Sequence, residues 1–305
     1  MLIYAVKRLS VAILVAMTVS LITFSMIYLS GDPAMALAGE SASQSDIENI
    51  RRVYGYDQPI MVQYFSWLGN ALTGNLGHSH YLKTEVSEVI FTRLPVTMTL
   101  GACALTFALT LSIPLGVVAA MRPNTLIDRI ALTIAVIGQA LPSFWFALML
   151  IVFLSVSLRL LPTSGSDTWR HFIMPTIVLG YYAAPAIMRL TRTGMLEVLS
   201  TDYIRTARAK GLRPRVVLFK HALRNAVIPV VSLTAVQFGF MLGGSIVVET
   251  IFALHGAGFL AWESITRNDL PTVQGLILVF SLFYIVLTFF ADLLNAWLDP
   301  RIRIN

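Results

Sequence analysis

Charge is scarce in this chain, with 12% of its 305 residues charged against 56% hydrophobic. Soluble domains carry about twice that charge, so a water-soluble globule is excluded and an integral membrane protein is indicated. Cysteine is nearly absent: Cys103 stands alone inside an apolar run, which excludes an intrachain disulfide and favours plain packing over redox chemistry. No GxxxxGK[ST] segment occurs, so the chain has no phosphate loop of its own for ATP. Histidine is limited to His78, His80, His171, His221 and His255, all in loops or at span ends. That placement excludes a serine–histidine pair within the bilayer and leaves no third ligand near His78 and His80 for a metal. Internal repeats, low-complexity tracts and flexible linkers are also missing.

What is present is a set of long apolar runs and a mean hydropathy of +0.75. Segments 9–30, 95–121, 130–157, 172–191, 228–250 and 273–297 each approach or exceed the ~20 residues that cross a bilayer as a helix. The expected architecture is therefore an all-α integral membrane protein with six transmembrane helices. The first run exceeds the usual apolar length of a cleaved signal, so it reads as a retained anchor despite the Ala36-Leu37-Ala38 sequence beyond it. With the N-terminus in the cytoplasm, 15 of the lysines and arginines fall inside and 7 outside, while most of the acids fall outside. That asymmetry obeys the positive-inside rule and places both termini in the cytoplasm. The net charge of +6 is thereby explained by topology, and nucleic acid is not expected as a partner.

The boundaries divide the chain into a scaffold helix at 1–30, an outer helical segment at 31–93, a five-helix core at 94–298 and a tail at 299–305. In the outer segment Ile47, Ile50, Val53 and Tyr54, then Met61, Tyr64, Phe65, Leu68 and Leu72, recur at helical spacing, with Pro59 opening the second helix. The core carries few ionisable groups at depth; Asp292, Glu249, Arg189 and Arg192 lie toward span ends. Gln139 and Gln237 are the large polar residues left inside, either lining a pore or bonding helix to helix. An interior of this kind argues against an ion-coupled carrier, which keeps ionisable groups near the midplane.

The cytoplasmic loop 192–227 is the most informative stretch. Between two spans it places Arg205, Arg208, Lys210, Arg213, Arg215, Lys220 and Arg224. Ser200, Thr201 and Asp202 offer N-caps for a short helix over Tyr203–Lys210, Gly211 offers a left-handed stop, and Pro214 opens a second helix. Val216, Phe219, Leu223 and Val227 are expected on one face of that second helix. Two readings follow from the pattern: a folded docking element, or an amphipathic helix resting on anionic lipid.

The chain resembles the permease subunits of bacterial ATP-binding-cassette importers of the dipeptide, oligopeptide and nickel group. The likeness is carried by SGDPA at 30–34, YDQP at 56–59, GNLGHS at 74–79, LPSFW at 141–145 and LPTSG at 161–165. It continues through DYIRTARAKG at 202–211, HALRNAVIP at 221–229, GGSIVVETIF at 243–252 and DPRIR at 299–303. Two departures stand out: Arg205-Thr206-Ala207 replaces the Glu-Ala-Ala of the general importer motif, and Leu254-His255 stands where relatives carry Trp-Pro. The resemblance implies a type I importer permease fold in the bacterial inner membrane. It implies a second homologous permease, two cytoplasmic ATPases that hold ATP and Mg, a periplasmic solute-binding protein, and no cofactor in this chain. By the same resemblance Tyr203, Arg205, Thr206, Ala207, Arg208, Ala209, Lys210, Gly211, Arg224 and Asn225 couple to the ATPase, and di- or oligopeptides are the expected cargo. Glutathione and nickel complexes are the alternatives within the same class.

Overall fold

A computed structural model describes residues 2–29, 32–38, 42–79 and 81–298. Glu40, His80 and the tail at 299–305 lie outside the described residues. Apart from one isolated backbone bridge between His78 and Glu85, the described chain is helix and loop. In chain order the first helices are α1 (Leu2–Leu29), α2 (Pro33–Ala38), α3 (Gln44–Val53), α4 (Ile60–Leu72) and α5 (Val86–Met121). Next come α6 (Leu126–Ala140), α7 (Ser143–Leu150), α8 (Trp169–Leu199), α9 (Asp202–Ala209) and α10 (Pro214–Val216). The chain closes with α11 (Arg224–Ala226), α12 (Ile228–Phe252), α13 (Ala257–Thr266) and α14 (Leu270–Leu298).

Among the described residues five helices are long and apolar enough to cross a membrane: α1, α5, α8, α12 and α14. The expected span at 130–157 is not a single helix. Leu141 adopts an extended backbone ahead of Pro142, and the chain restarts as α7. The proline ring crowds the preceding residue out of the α region, which breaks the run where LPSFW begins. Beyond α7 the chain winds more loosely, in π-helical turns, over Ile151–Ser157.

The core is organised around α5 and α8, the helix pair in most extensive contact. Close approach is possible because Gly180 on α8 has no side chain; a Cβ there would meet the Ala104 carbonyl oxygen at 2.4 Å. Small residues at such crossings are how membrane helices gain packing without a hydrophobic drive between them. Ser112 donates to the Ala184 carbonyl at 2.8 Å across the same pair. Leu100, Ala104, Met174, Val178, Ile187 and Phe252 fill the main core between α5, α8 and α12.

The helices between α1 and α5 differ from expectation in which residues they bury. α3 opens on a reciprocal cap in which the Ser43 hydroxyl accepts from the Asp46 N–H and Asp46 accepts from the Ser43 N–H. On α4, Tyr64 is buried while Met61, Phe65 and Leu72 remain exposed. Tyr64 and Trp67 pack their rings on Phe24 of α1, and the Tyr64 hydroxyl lies 2.8 Å from Ser20 Oγ. The apolar spacing on α4 thus serves two surfaces, one against α1 and one left open, as for a helix lying at a bilayer interface. Cys103 is exposed on α5 rather than packed inside. A span surface that meets lipid is as apolar as a core, so hydropathy does not separate the two.

Candidate functional site

The loop after α8 folds into a short helix seated on the span ends. α9 begins after Thr201, whose hydroxyl turns back to the Val198 carbonyl at 2.6 Å and leaves the helix without a side-chain cap. Thr201 therefore supplies the cap position but closes the end of α8 instead. The helix stops at Gly211, which has φ +71°, the left-handed conformation that glycine adopts without a Cβ penalty. Pro214 opens α10 as expected, and the chain then winds in π-helical turns over Val217–Leu223 before α11.

That wider winding changes which face is buried. Val217, Ala222 and Ala226 point inward, while Phe219 is exposed. The expected stripe of Val216, Phe219, Leu223 and Val227 assumed a uniform period, and an inserted π turn displaces the register by one residue. Ile204 and Ala207 of α9 close the same cluster, packed with Val117 and Ala120 of α5 and Met195 of α8. Ala207, expected to face a partner, is buried within the chain's own packing. The other nine candidate residues, Tyr203, Arg205, Thr206, Arg208, Ala209, Lys210, Gly211, Arg224 and Asn225, are exposed.

Polar contacts hold this element in place. Asn225 Nδ2 donates to the Tyr203 hydroxyl at 2.9 Å and to the His221 carbonyl at 3.1 Å, buckling α9 to α11. Arg205 reaches back to Asp202 at 3.1 Å, an exposed pair worth a few tenths of a kcal/mol. Behind the element, Arg192 of α8 forms two hydrogen bonds with Asp128 in the first turn of α6. Asp128 also accepts from the Asn124 N–H at 2.9 Å. The Arg192 hydrogen bonds, chiefly, hold the Asp128 carboxyl below the usual carboxylate range, against the opposing effect of burial. This clamp was not among the expected site residues; Arg192 reads locally as one more inside cation and Asp128 as an ordinary loop acid.

Gln139 and Gln237 come together at a cavity of about 520 Å³ between α6, α7, α8 and α12. Ser143, Tyr182, Phe240 and Met241 share its wall, and no charged residue does so among the described residues. The two glutamines thus face a common space, and Gln237 also reaches the Ala183 carbonyl at a long 3.5 Å. At the other end of α12 the buried Glu249 is bound by the Thr97 hydroxyl at 2.7 Å and the Phe259 N–H at 2.9 Å. Arg93 holds the His255 carbonyl at 2.9 Å, and Leu254 is buried in the main core while His255 itself is exposed. Among the described residues no three His, Cys, Asp or Glu side chains converge as a metal site would require.

Residues 112–304 match the family described as the binding-protein-dependent transport system inner membrane component, and residues 1–101 match its N-terminal companion. The chain is 41% identical over 304 residues to the glutathione transport system permease protein GsiC of Pectobacterium atrosepticum, covering 99% of both. It is also 41% identical, with the same coverage, to GsiC of Escherichia coli strain K12. Among solved structures it is similar to a chain of the MetNI methionine ABC transporter in an inward-facing form, with a TM-score of 0.57 and 20% identity. That likeness covers 69% of this chain and 96% of the other, and it concerns the fold. The apolar helices, the seated loop between α8 and α12 and these matches agree that the chain belongs to the family of binding-protein-dependent transport inner membrane components, as a multi-pass permease subunit of an ABC importer.

Proposed function

We propose that this permease forms half of a translocation pathway for di- or oligopeptides, glutathione included, and that α9 is the element through which ATP drives it. Relatives named as glutathione transport permeases at 41% identity support the peptide class. An uncharged cavity with amide and hydroxyl groups suits a cargo handled by hydrogen bonds rather than by a fixed counter-ion.

In this reading the chain crosses the membrane six times, with the broken α6–α7 unit as the third crossing and both termini in the cytoplasm. The 15-to-7 excess of basic residues supports that orientation. Residues 1–30 are a scaffold helix, 94–298 the five-helix core and 31–93 an outer segment that helps dock the solute-binding protein. A second homologous permease completes the pathway, two cytoplasmic ATPases bind ATP and Mg, and this chain performs no hydrolysis itself.

Mechanistically, closure of the ATPase pair displaces α9. Its outer face, with Tyr203, Thr206, Arg208, Ala209 and Lys210, meets the ATPase; its inner face, with Ile204 and Ala207, is locked to α5 and α8. Because packed interiors resist compression, the displacement passes into the spans rather than dissipating in the loop. The same α8 lines the Gln139–Gln237 cavity, so its movement changes access there.

The observation that carries this reading is a short helix with one face seated on the spans and the other left polar and open. Its test is uptake by the assembled transporter in vesicles. Uptake should require the binding protein and ATP on the cytoplasmic side, and persist when ion gradients are collapsed. Uptake driven by a proton or sodium gradient without ATP would overturn it.

A further inference from the structure

Of the helices that wall the Gln139–Gln237 cavity, α7 is held differently from the rest. α8 is fixed to α5 by the Ser112 hydroxyl on the Ala184 carbonyl and by the close approach at Gly180. α12 is fixed to α5 and α13 through Glu249. One of its carboxylate oxygens accepts from the Thr97 hydroxyl and the other from the Phe259 N–H, while the Thr97 oxygen accepts from the Ala257 N–H at 2.8 Å. α6 is fixed to α8 by the Asp128–Arg192 pair and by the Tyr181 hydroxyl on the Ile134 carbonyl. No such bond joins a side chain of α7 to another helix among the described residues. It meets α8 and α12 through apolar packing, with Ala147 buried and the Phe146 ring centred 6.0 Å from that of Tyr181.

The backbone is interrupted at both ends of α7. Before it, Leu141 is extended and Pro142 has no N–H to give, so α6 and α7 share no continuous hydrogen-bond ladder. Beyond it come the π-helical turns over Ile151–Ser157. Prolines and π turns are where helices bend, and hinges sit at such element ends. The eight residues of α7 are therefore a stiff panel between two joints. Gln139 lies on one side of the first joint and Ser143 on the other, and both line the cavity, so a bend there reshapes its wall.

The chemistry of the contacts decides which wall yields. Apolar packing is non-directional and is remade against any apolar neighbour. A carboxylate as buried as that of Glu249 finds no replacement for the donors it leaves. We propose that α7 is the moving wall of the cavity, swinging between Leu141–Pro142 and the π turns to open and close the way past Gln139 and Gln237. α5, α8, α12 and α13 turn together as one frame. This gate rests on the reading of that cavity as the translocation pathway.

The test follows the assembled transporter in vesicles, with Cys103 replaced by serine and the partner subunits free of cysteine. Nitroxides on Phe144→Cys and Phe91→Cys report α7 against α5, and nitroxides on Phe91→Cys and Ile265→Cys report α5 against α13; all three positions are exposed. Between the nucleotide-free and the ATP–vanadate-trapped states the first distance should shift by more than the width of its distribution. The second should not. In a second arm, Phe146→Cys/Tyr181→Cys is joined by a short cleavable thiol cross-linker. Neither residue lines the cavity, so the link does not plug it. Uptake should fall several-fold when the link forms and return when it is cleaved, each protein serving as its own reference.

An unchanged Phe144–Phe91 distance in a transporter that takes up cargo with ATP overturns the gate and leaves the pathway standing. Uptake that continues with the link in place does the same. A shift of the Phe91–Ile265 distance as large as the first overturns the frame, and with it the assignment of the motion to α7. Loss of ATP dependence in the unlinked protein would instead overturn the pathway reading, and the gate with it.

Discussion

Asp128 and Arg192, 64 positions apart, meet through two hydrogen bonds of 2.7 Å each and join the start of α6 to the C-terminal part of α8. The Asp128 side chain is 4% exposed and that of Arg192 22%, so the pair is sheltered enough for loss of one partner to matter. Asp128→Asn or Arg192→Gln should each lower stability by about 2 kcal/mol, below the full cost of breaking a fully buried pair because Arg192 retains some water. Thermal unfolding of the purified assembly measures this. Since folding depresses the Asp128 pKa, its contribution is complete above the ordinary carboxylate range. It is lost as pH falls through the lower folded value. The exchange Asp128→Arg/Arg192→Asp should recover part of the loss; no recovery would show that the pair does not act as a pair.

Gly211 and Ala207 separate two ways of disabling the same helix. Space around Gly211 is open, with nothing within 4 Å of an added Cβ, so Gly211→Val meets only backbone strain of about 1–3 kcal/mol. Valine there should leave the permease inserted and assembled while uncoupling ATP hydrolysis from uptake. Ala207→Glu instead places a carboxylate among Ile204, Val217 and Met195. It should lower the melting temperature of the permease itself, before any ATPase is added. Identical melting behaviour for the two variants would refute the assignment of opposite faces.

At the cavity, Gln139→Leu and Gln237→Leu remove the amide groups while keeping similar bulk. Peptide uptake should drop several-fold with basal ATP hydrolysis unchanged. Should ATPase activity fall in parallel with uptake, the glutamines act in helix packing rather than along the pathway.

Orientation is tested by cysteines at Gln44 and Ser200 in a background lacking the exposed Cys103. Gln44 is preferable to Ser43, whose hydroxyl caps α3. An impermeant thiol reagent applied to spheroplasts should label the first and spare the second; the reverse pattern would invert the topology. On the same outer segment, Glu48→Ala tests docking of the binding protein cleanly, because Asp46 is committed to the α3 cap. Unchanged stimulation by the binding protein would make the segment a brace for α1.

Hydropathy alone determined that this chain spans a membrane, because bilayer thickness imposes a length of apolar helix that no soluble fold requires. Local chemistry marked the stop after α9 and the start of α10 in the same way: Gly211 takes a left-handed φ without a Cβ penalty and the Pro214 ring fixes its own φ, whatever surrounds them. The break at Leu141–Pro142 was written there too, within an apolar run that hid it. Tertiary structure decided the rest. Which side of α9 turns inward depends on Val217, Ala222 and Ala226, and their facing depends on a π turn that no residue pattern marks. The Asp128–Arg192 clamp, the Glu249 clasp and the meeting of Gln139 with Gln237 each join residues far apart in the chain. A hydrogen bond or ion pair forms only where the fold delivers its partner. Before folding, those residues carry the same local signal as any loop acid, span-end cation or interior amide.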